Sequence, residues 1–239
     1  MPATVDYLLL AAMFLLMAIE VRLFSALTRA VAGGFPDVSR TTAYTFLIAY
    51  QWALVLAIAA SWLLRHQPWS ALLLSAPHPW RLAAGLALAG VFVGLTAFQR
   101  RELLTRPTLS DALKRQISTI EALAPRTPDE RQLWTYVAIT AGCCEEFLFR
   151  GFLLSILATF IGLVAAVPLA AVLFGLFHAY YGWKGILNTA TLGFVLTLIA
   201  LASASLIPVV VIHATIDLTS GDIAYRVLSR AQVASAATQ

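Results

Sequence analysis

Cys143-Cys144-Glu145-Glu146-Phe147-Leu148-Phe149-Arg150-Gly151 places three ionisable side chains within six residues of an apolar stretch. That stretch is long enough to cross a bilayer, where a charge left facing lipid costs at least about 2.5–3.5 kcal/mol. Charges kept in such places pair with one another or line a functional cavity. Glu145 and Glu146 are adjacent, so on a helix their side chains diverge by about 100°. Glu146 and Arg150 are four apart with the acid first, the favourable order for an ion pair. Glu145 has no such local partner, and its carboxylate is the one left for chemistry.

Two histidines stand in similarly apolar surroundings, at the end of Phe174-Gly175-Leu176-Phe177-His178 and at the start of His213-Ala214-Thr215-Ile216-Asp217. Asp217 shares a helix face with His213, and a carboxylate there can hold an imidazole in one tautomer. Phe174 shares a face with His178 and is placed to pack beside it. Together Glu145, His178, His213 and Asp217 suit amide hydrolysis without a covalent intermediate. A desolvated glutamate serves as general base and His178 shares its water. His213 and Asp217 donate or orient hydrogen bonds toward the developing oxyanion. His, His and Glu are also a common zinc set with water in the fourth position, and spacing alone leaves that alternative open.

The elements that must position these residues are membrane helices. Of the 239 residues, 60% are hydrophobic and 12% charged, with a mean hydropathy of +0.83. Soluble domains carry about 25% charge. The fold class is therefore all-α, a polytopic transmembrane bundle of about seven helices, within a range of six to eight. The net charge of +4 reflects a few basic loops and no nucleic-acid-binding stripe. The first apolar run lacks a basic leader and a small-residue cleavage site, so no cleaved signal peptide is expected. The adjacent Cys143 and Cys144 read as free, buried thiols.

Taken in order, residues 1–98 form an amino-terminal region of three membrane helices. Glu20 reads as a packing or snorkelling residue near the end of the first, with a polar lining role as the alternative. Gly33-Gly34-Phe35-Pro36-Asp37 reads as a tight turn. His66 and His78 read as solvated, between Trp69 and Trp80 at the headgroup level. Gly90 and Gly94 have the spacing that lets another helix approach closely. Residues 99–131 form the charged linker, with Leu109, Leu113, Ile117, Ile120 and Leu123 approximating the apolar stripe of an amphipathic surface helix. Thr127-Pro128-Asp129-Glu130 has the signature of a helix start with reciprocal capping. Residues 132–228 hold the polar motifs on four helices, and residues 229–239 read as a disordered tail.

The linker is the richest in basic residues, which places it on the cytoplasmic side. Arg65 and Arg81 then fall outside, against that rule. Depth along the helices gives a conflicting picture of the site. Glu145 lies about 16 Å beyond Trp134 and His213 about 18 Å from Tyr225, whereas His178 lies only about 3–8 Å before the Tyr180–Trp183 turn. By this measure His178 is the shallow member.

Glu145-Glu146-x-x-x-Arg150, Phe174-x-x-x-His178 and His213-x-x-x-Asp217, in this order on successive helices, resemble the CPBP family. These are the type II CAAX prenyl proteases and bacteriocin-processing, Abi-type intramembrane proteases. The resemblance covers about residues 134–228. It implies a glutamic-type intramembrane endopeptidase in which Glu145 and His178 activate water and His213, with Asp217, stabilises the oxyanion. Prenyl-protease members usually have asparagine where this chain has Asp217. The resemblance implies no cofactor, although the family was earlier described as metal-dependent. It implies a membrane-tethered or lipidated protein or peptide as substrate, the lipid bilayer as surroundings, and a site open to the cytoplasm of a bacterial inner membrane. A transporter or proton relay also places Glu, His and Asp in membrane helices, but no internal repeat supports one here. A non-catalytic immunity or scaffold protein is the other alternative. H-E-x-x-H and G-x-S-x-G motifs are absent.

Overall fold

The structure, a computed structural model, describes residues 2–31, 39–75, 78–105 and 121–236. All regular structure among them is helical. The elements are α1 (Thr4–Val31), α2 (Arg40–Leu64), α3 (Pro79–Thr105), α4 (Pro128–Glu146), a π-helical stretch (Phe147–Leu153), α5 (Leu154–Phe177), α6 (Gly182–Ser203) and α7 (Ile207–Ala236). Short 3₁₀ turns occupy Trp69–Leu72 and Ala179–Tyr181. Arg106–Ile120, with most of the expected surface helix, and the Gly33–Asp37 turn lie outside the described residues.

Six helical stretches among the described residues are long and apolar enough to cross a membrane. One of them spans 50 residues, Pro128–Phe177. Drawn straight it would extend about 75 Å, more than twice the hydrocarbon thickness. It folds back instead. Gly162 has φ 75° and ψ 158°, a conformation open to a residue without Cβ. As a result the rings of Phe149 and Phe174 meet edge to face with centroids 4.9 Å apart. The stretch is thus a hairpin, and counting its two arms separately gives the seven expected membrane segments. The arrangement is a multi-pass helical bundle.

The bundle is apolar outside, and its largely apolar interior encloses a small set of polar side chains. Leu8, Leu56, Leu88 and Val164 face outward, while Glu20, Gln51, Glu145, Glu146, Arg150 and His213 are buried. α4 is sandwiched between α2 and α7, α5 lies on α6, and α3 lies on α7. Gly142 sets the α4–α7 approach: a Cβ there would stand 2.8 Å from the Ala214 Cβ. Thr127 caps α4 by accepting from the Glu130 amide at 3.1 Å. Glu130 reaches back as expected, but to the Arg126 amide, at 2.6 Å.

Several expectations need correction. Gly90 and Gly94 have open space where a Cβ would stand, so no helix among the described residues approaches them. The close contact on α3 is at Gly85, against Pro208 and Ser203. Glu20 lines an internal cavity, the alternative reading for that residue. α7 continues to Ala236, into the segment read as a tail. His66 and His78 are exposed, and Cys143 and Cys144 are free, both as expected. The two arginines that strained the charge rule are engaged. Arg65 pairs with the buried Asp6, and Arg81 donates to the Leu201 and Ala202 carbonyls at the end of α6. At the opposite end, Arg100, Arg131 and Arg226 converge on Asp222 and tie α3 and α4 to α7.

Candidate active site

Glu145 and Glu146 occupy the last turn of α4, immediately before the π-helical stretch that holds Arg150. Such widened turns are frequent at functional sites. Both glutamates are buried. The Glu145 Oε1 atom accepts a 3.0 Å hydrogen bond from the Gln51 amide on α2. Its Oε2 atom stands 3.9 Å from His178 Nε2 and 3.9 Å from His213 Nε2. These distances exceed direct hydrogen bonds, and Oε2 has no hydrogen-bond partner among the described residues. A polar atom so placed, facing two ring nitrogens, has the spacing that a bridging water spans.

The two imidazoles are held differently. His178 Nδ1 lies 2.8 Å from the Phe174 carbonyl. A carbonyl only accepts, so Nδ1 carries the proton, and in the neutral ring Nε2 is left as an acceptor facing Glu145. His213 Nδ1 lies 2.6 Å from Glu146 Oε1. That same oxygen accepts from Arg150 at 3.0 Å, and Arg150 donates further to the Gly193 carbonyl at 3.1 Å. The expected Glu146–Arg150 pair therefore exists and extends to the histidine. Asp217 was expected to orient His213, but its Oδ2 is 3.6 Å from Nε2, the nitrogen facing Glu145. The orienting bond comes from Glu146. Asp217 instead lines the cavity, with its side chain 30% exposed.

Phe174 forms the wall between these groups. The Arg150 guanidinium lies over its ring at 4.4 Å. The His178 ring is 4.6 Å away, and the His213 ring meets it edge-on at 6.0 Å. A cavity of about 190 Å³ opens beside the cluster. Glu145, His178, His213 and Asp217 lie on its polar side, and Phe24, Leu47, Val137, Tyr180 and Tyr181 supply apolar and aromatic walls. It extends along α4 to Trp134, whose indole donates to the Asp217 carbonyl at 2.9 Å. Trp134 thus forms part of the cavity wall.

His178 is level with Glu145. The chain turns back at Gly162, which lies 17 residues after Glu145 and 16 before His178, about 25 Å along each arm. The aromatic turn after His178 is internal as well. Tyr180 packs edge-on against Phe24 of α1 at 5.0 Å, and the Tyr181 ring lies 6.1 Å from His178. Only Trp183 of that group is strongly exposed, at 69%. Measuring depth from this turn misplaced the histidine.

Residues 128–219 match the family model described as Type II CAAX prenyl endopeptidase Rce1-like. Over these residues, somewhat more than a third of the chain, the sequence is similar to that CAAX endopeptidase family. No curated protein and no solved structure was found to match the chain. Glu145, Glu146, Arg150, Phe174, His178, His213 and Asp217 all fall within this matched core.

Three further side chains at the site fall outside the core; Gln51 and Tyr50 were not recognised in the sequence, and Glu20 only as an alternative. Gln51 reaches Glu145, and its amide also lies 3.4 Å from the Tyr50 hydroxyl. Tyr50 in turn donates to Glu20. Tyr50-Gln51 is a polar pair in the middle of a 25-residue apolar helix. That was a signal of the same kind as Glu145, though weaker because an amide carries no charge. Among the described residues, no group of three or more His, Cys, Asp or Glu side chains has the arrangement of a metal site.

Proposed function

We propose that this integral membrane protein is an endopeptidase in which Glu145 and His178 activate water to cleave a membrane-tethered or lipidated protein or peptide. One observation carries the reading. A buried Glu145 oxygen without a hydrogen-bond partner among the described residues faces two Nε2 atoms, each at 3.9 Å, at the wall of a cavity. Water between Glu145 Oε2 and His178 Nε2 loses a proton to this pair as its oxygen adds to the scissile carbonyl. The tetrahedral oxyanion then accepts from His213 Nε2–H. For that donation the His213 ring carries both protons, and the Glu146 carboxylate at Nδ1 is its counter-ion. Collapse expels the amine, which takes up the proton held by the Glu145–His178 pair.

The cavity runs from Glu145 toward the end of α4 where Arg100, Arg131 and Arg226 gather. Basic residues favour the cytoplasmic face, so we assign substrate entry to that side of a bacterial inner membrane. The reaction as proposed uses only the side chains named above, and zinc dependence has its own test in elemental analysis and chelation.

The test uses purified protein in nanodiscs with a quenched fluorescent peptide ending in a farnesylated Cys-aliphatic-aliphatic-X sequence, beside the same peptide without the farnesyl group. We expect cleavage of the farnesylated peptide and a loss of about 10²–10⁴-fold in Glu145→Gln. Full activity in that variant would remove Glu145 from the mechanism. Cleavage of both peptides alike would remove the lipid from recognition. If neither is cut, peptides retained by Glu145→Gln in cells and identified by mass spectrometry define the substrate.

A further inference from the structure

The amino-terminal helices lie outside the matched core, yet they contact the reacting carboxylate. Gln51 is fully buried, 94 residues from Glu145 in sequence, and donates to Glu145 Oε1 at 3.0 Å. Its Nε2 also lies 3.4 Å from the Tyr50 oxygen. The Tyr50 hydroxyl donates to Glu20 Oε2, which leaves that oxygen able to accept from Gln51. The chain of donors therefore has one direction. Glu20 accepts from Tyr50, Tyr50 accepts from Gln51, and Gln51 spends its other N–H on Glu145. Rotating the amide by half a turn would set Gln51 Oε1 against a carboxylate oxygen and break both bonds.

A glutamate needs such a constraint. Its terminal torsion is broad, so nothing within Glu145 itself fixes the plane of the carboxylate, whose two oxygens are otherwise equivalent. A donor on one oxygen fixes that plane and leaves the other toward the histidines. A packing role alone does not account for Gln51. Its own Oε1 has no partner among the described residues, and an apolar side chain of the same length would fill the volume without an unpaired oxygen.

We propose that Gln51 is a positioning residue, fixing the plane of the Glu145 carboxylate so that one oxygen is held by Gln51 and the other faces His178 and His213, with Tyr50 and Glu20 fixing Gln51 in turn. This rests on the reading of Glu145 as the water-activating group. It gives the helices outside the matched core a part in the reaction.

The test is Gln51→Met, which keeps the length and removes both N–H groups, assayed in nanodiscs with the farnesylated peptide. The expected result is a fall in kcat of about 10–100-fold, as for small misplacements of a reacting group. KM should stay within about twofold and the thermal midpoint should not change. Tyr50→Phe should lower kcat less, and Tyr50→Phe with Gln51→Met should match Gln51→Met alone, because Tyr50 acts through Gln51. An unchanged kcat in folded Gln51→Met, or effects that multiply in the double variant, would overturn the proposal. If Gln51→Met does not fold, Tyr50→Phe and Glu20→Gln decide it, and an unchanged kcat in both overturns it. Glu145→Gln assayed alongside separates the two readings. Activity retained there sinks the role of Glu145, whereas activity lost there but intact in Gln51→Met sinks only the positioning role. Experimental structures of the wild type and Gln51→Met test the placement without any substrate. A Glu145 carboxylate that keeps its orientation in the variant overturns the proposal.

Discussion

Glu146 Oε1 lies 2.6 Å from His213 Nδ1, and this contact decides how the paired glutamates divide their work. Glu146 joins Arg150 to His213. Its neighbour Glu145 faces the other nitrogen of the same ring at 3.9 Å. One imidazole is thus gripped from behind by the second glutamate and presented to the first.

Removing the Glu146 charge should damage both fold and activity. Glu146→Gln leaves the buried Arg150 guanidinium without a counter-charge, a change that typically costs about 3–5 kcal/mol. The expected result is a lower yield, a lower thermal midpoint in detergent and little activity. Wild-type stability with lost activity would show that the pair contributes to catalysis and not to folding.

Asp217 stands 3.6 Å from His213 Nε2, where a carboxylate would oppose an oxyanion. Asp217→Asn should therefore keep activity within about tenfold of the wild type, because an amide can donate where a carboxylate cannot. A loss as large as that of Glu145→Gln, measured on the same peptide, would make the Asp217 charge essential.

The α4–α7 contact at Gly142 brings the glutamates against His213. A Cβ at this position would meet Ala214 at 2.8 Å from Cβ and 2.9 Å from the backbone nitrogen. Gly142→Ala should cost about 1–3 kcal/mol through overpacking and lower kcat as the two helices part. Thermal unfolding and turnover of the variant check both effects. An unchanged midpoint would mean that the helices are less closely set.

The hairpin at Gly162 is testable by cross-linking. With Cys143 and Cys144 replaced by alanine, cysteines at positions 149 and 174 should be joined by a short bifunctional reagent, because the native rings are 4.9 Å apart. On a straight helix these positions would be about 37 Å apart, and no cross-link would form.

Metal dependence separates two forms of the proposed chemistry. We expect purified active protein to contain less than stoichiometric zinc by elemental analysis and to keep its activity after chelation. Stoichiometric zinc, lost together with activity, would establish the metal-dependent form.

The sequence alone determined what local physics controls. An apolar composition interrupted by turn residues fixes a helical bundle, because helices satisfy their backbone hydrogen bonds within lipid. Charge in such a setting is costly enough to mark Glu145, Glu146, Arg150, His178, His213 and Asp217 before any fold is known. The i, i+4 spacing of Glu146 and Arg150 gives an ion pair that the structure contains. What depended on contacts between distant helices could not be read this way. Asp217 is the sequence neighbour of His213, but Glu146, 67 residues away, holds its ring. His178 looked shallow when measured from the next turn, and only the reversal at Gly162 makes it level with Glu145. Gln51 is an uncharged side chain whose cost in lipid is modest, so it stood out little until α2 was seen packed against α4. Helical period and the cost of charge select which residues lie inside the bundle, and helix-to-helix packing decides which of them touch.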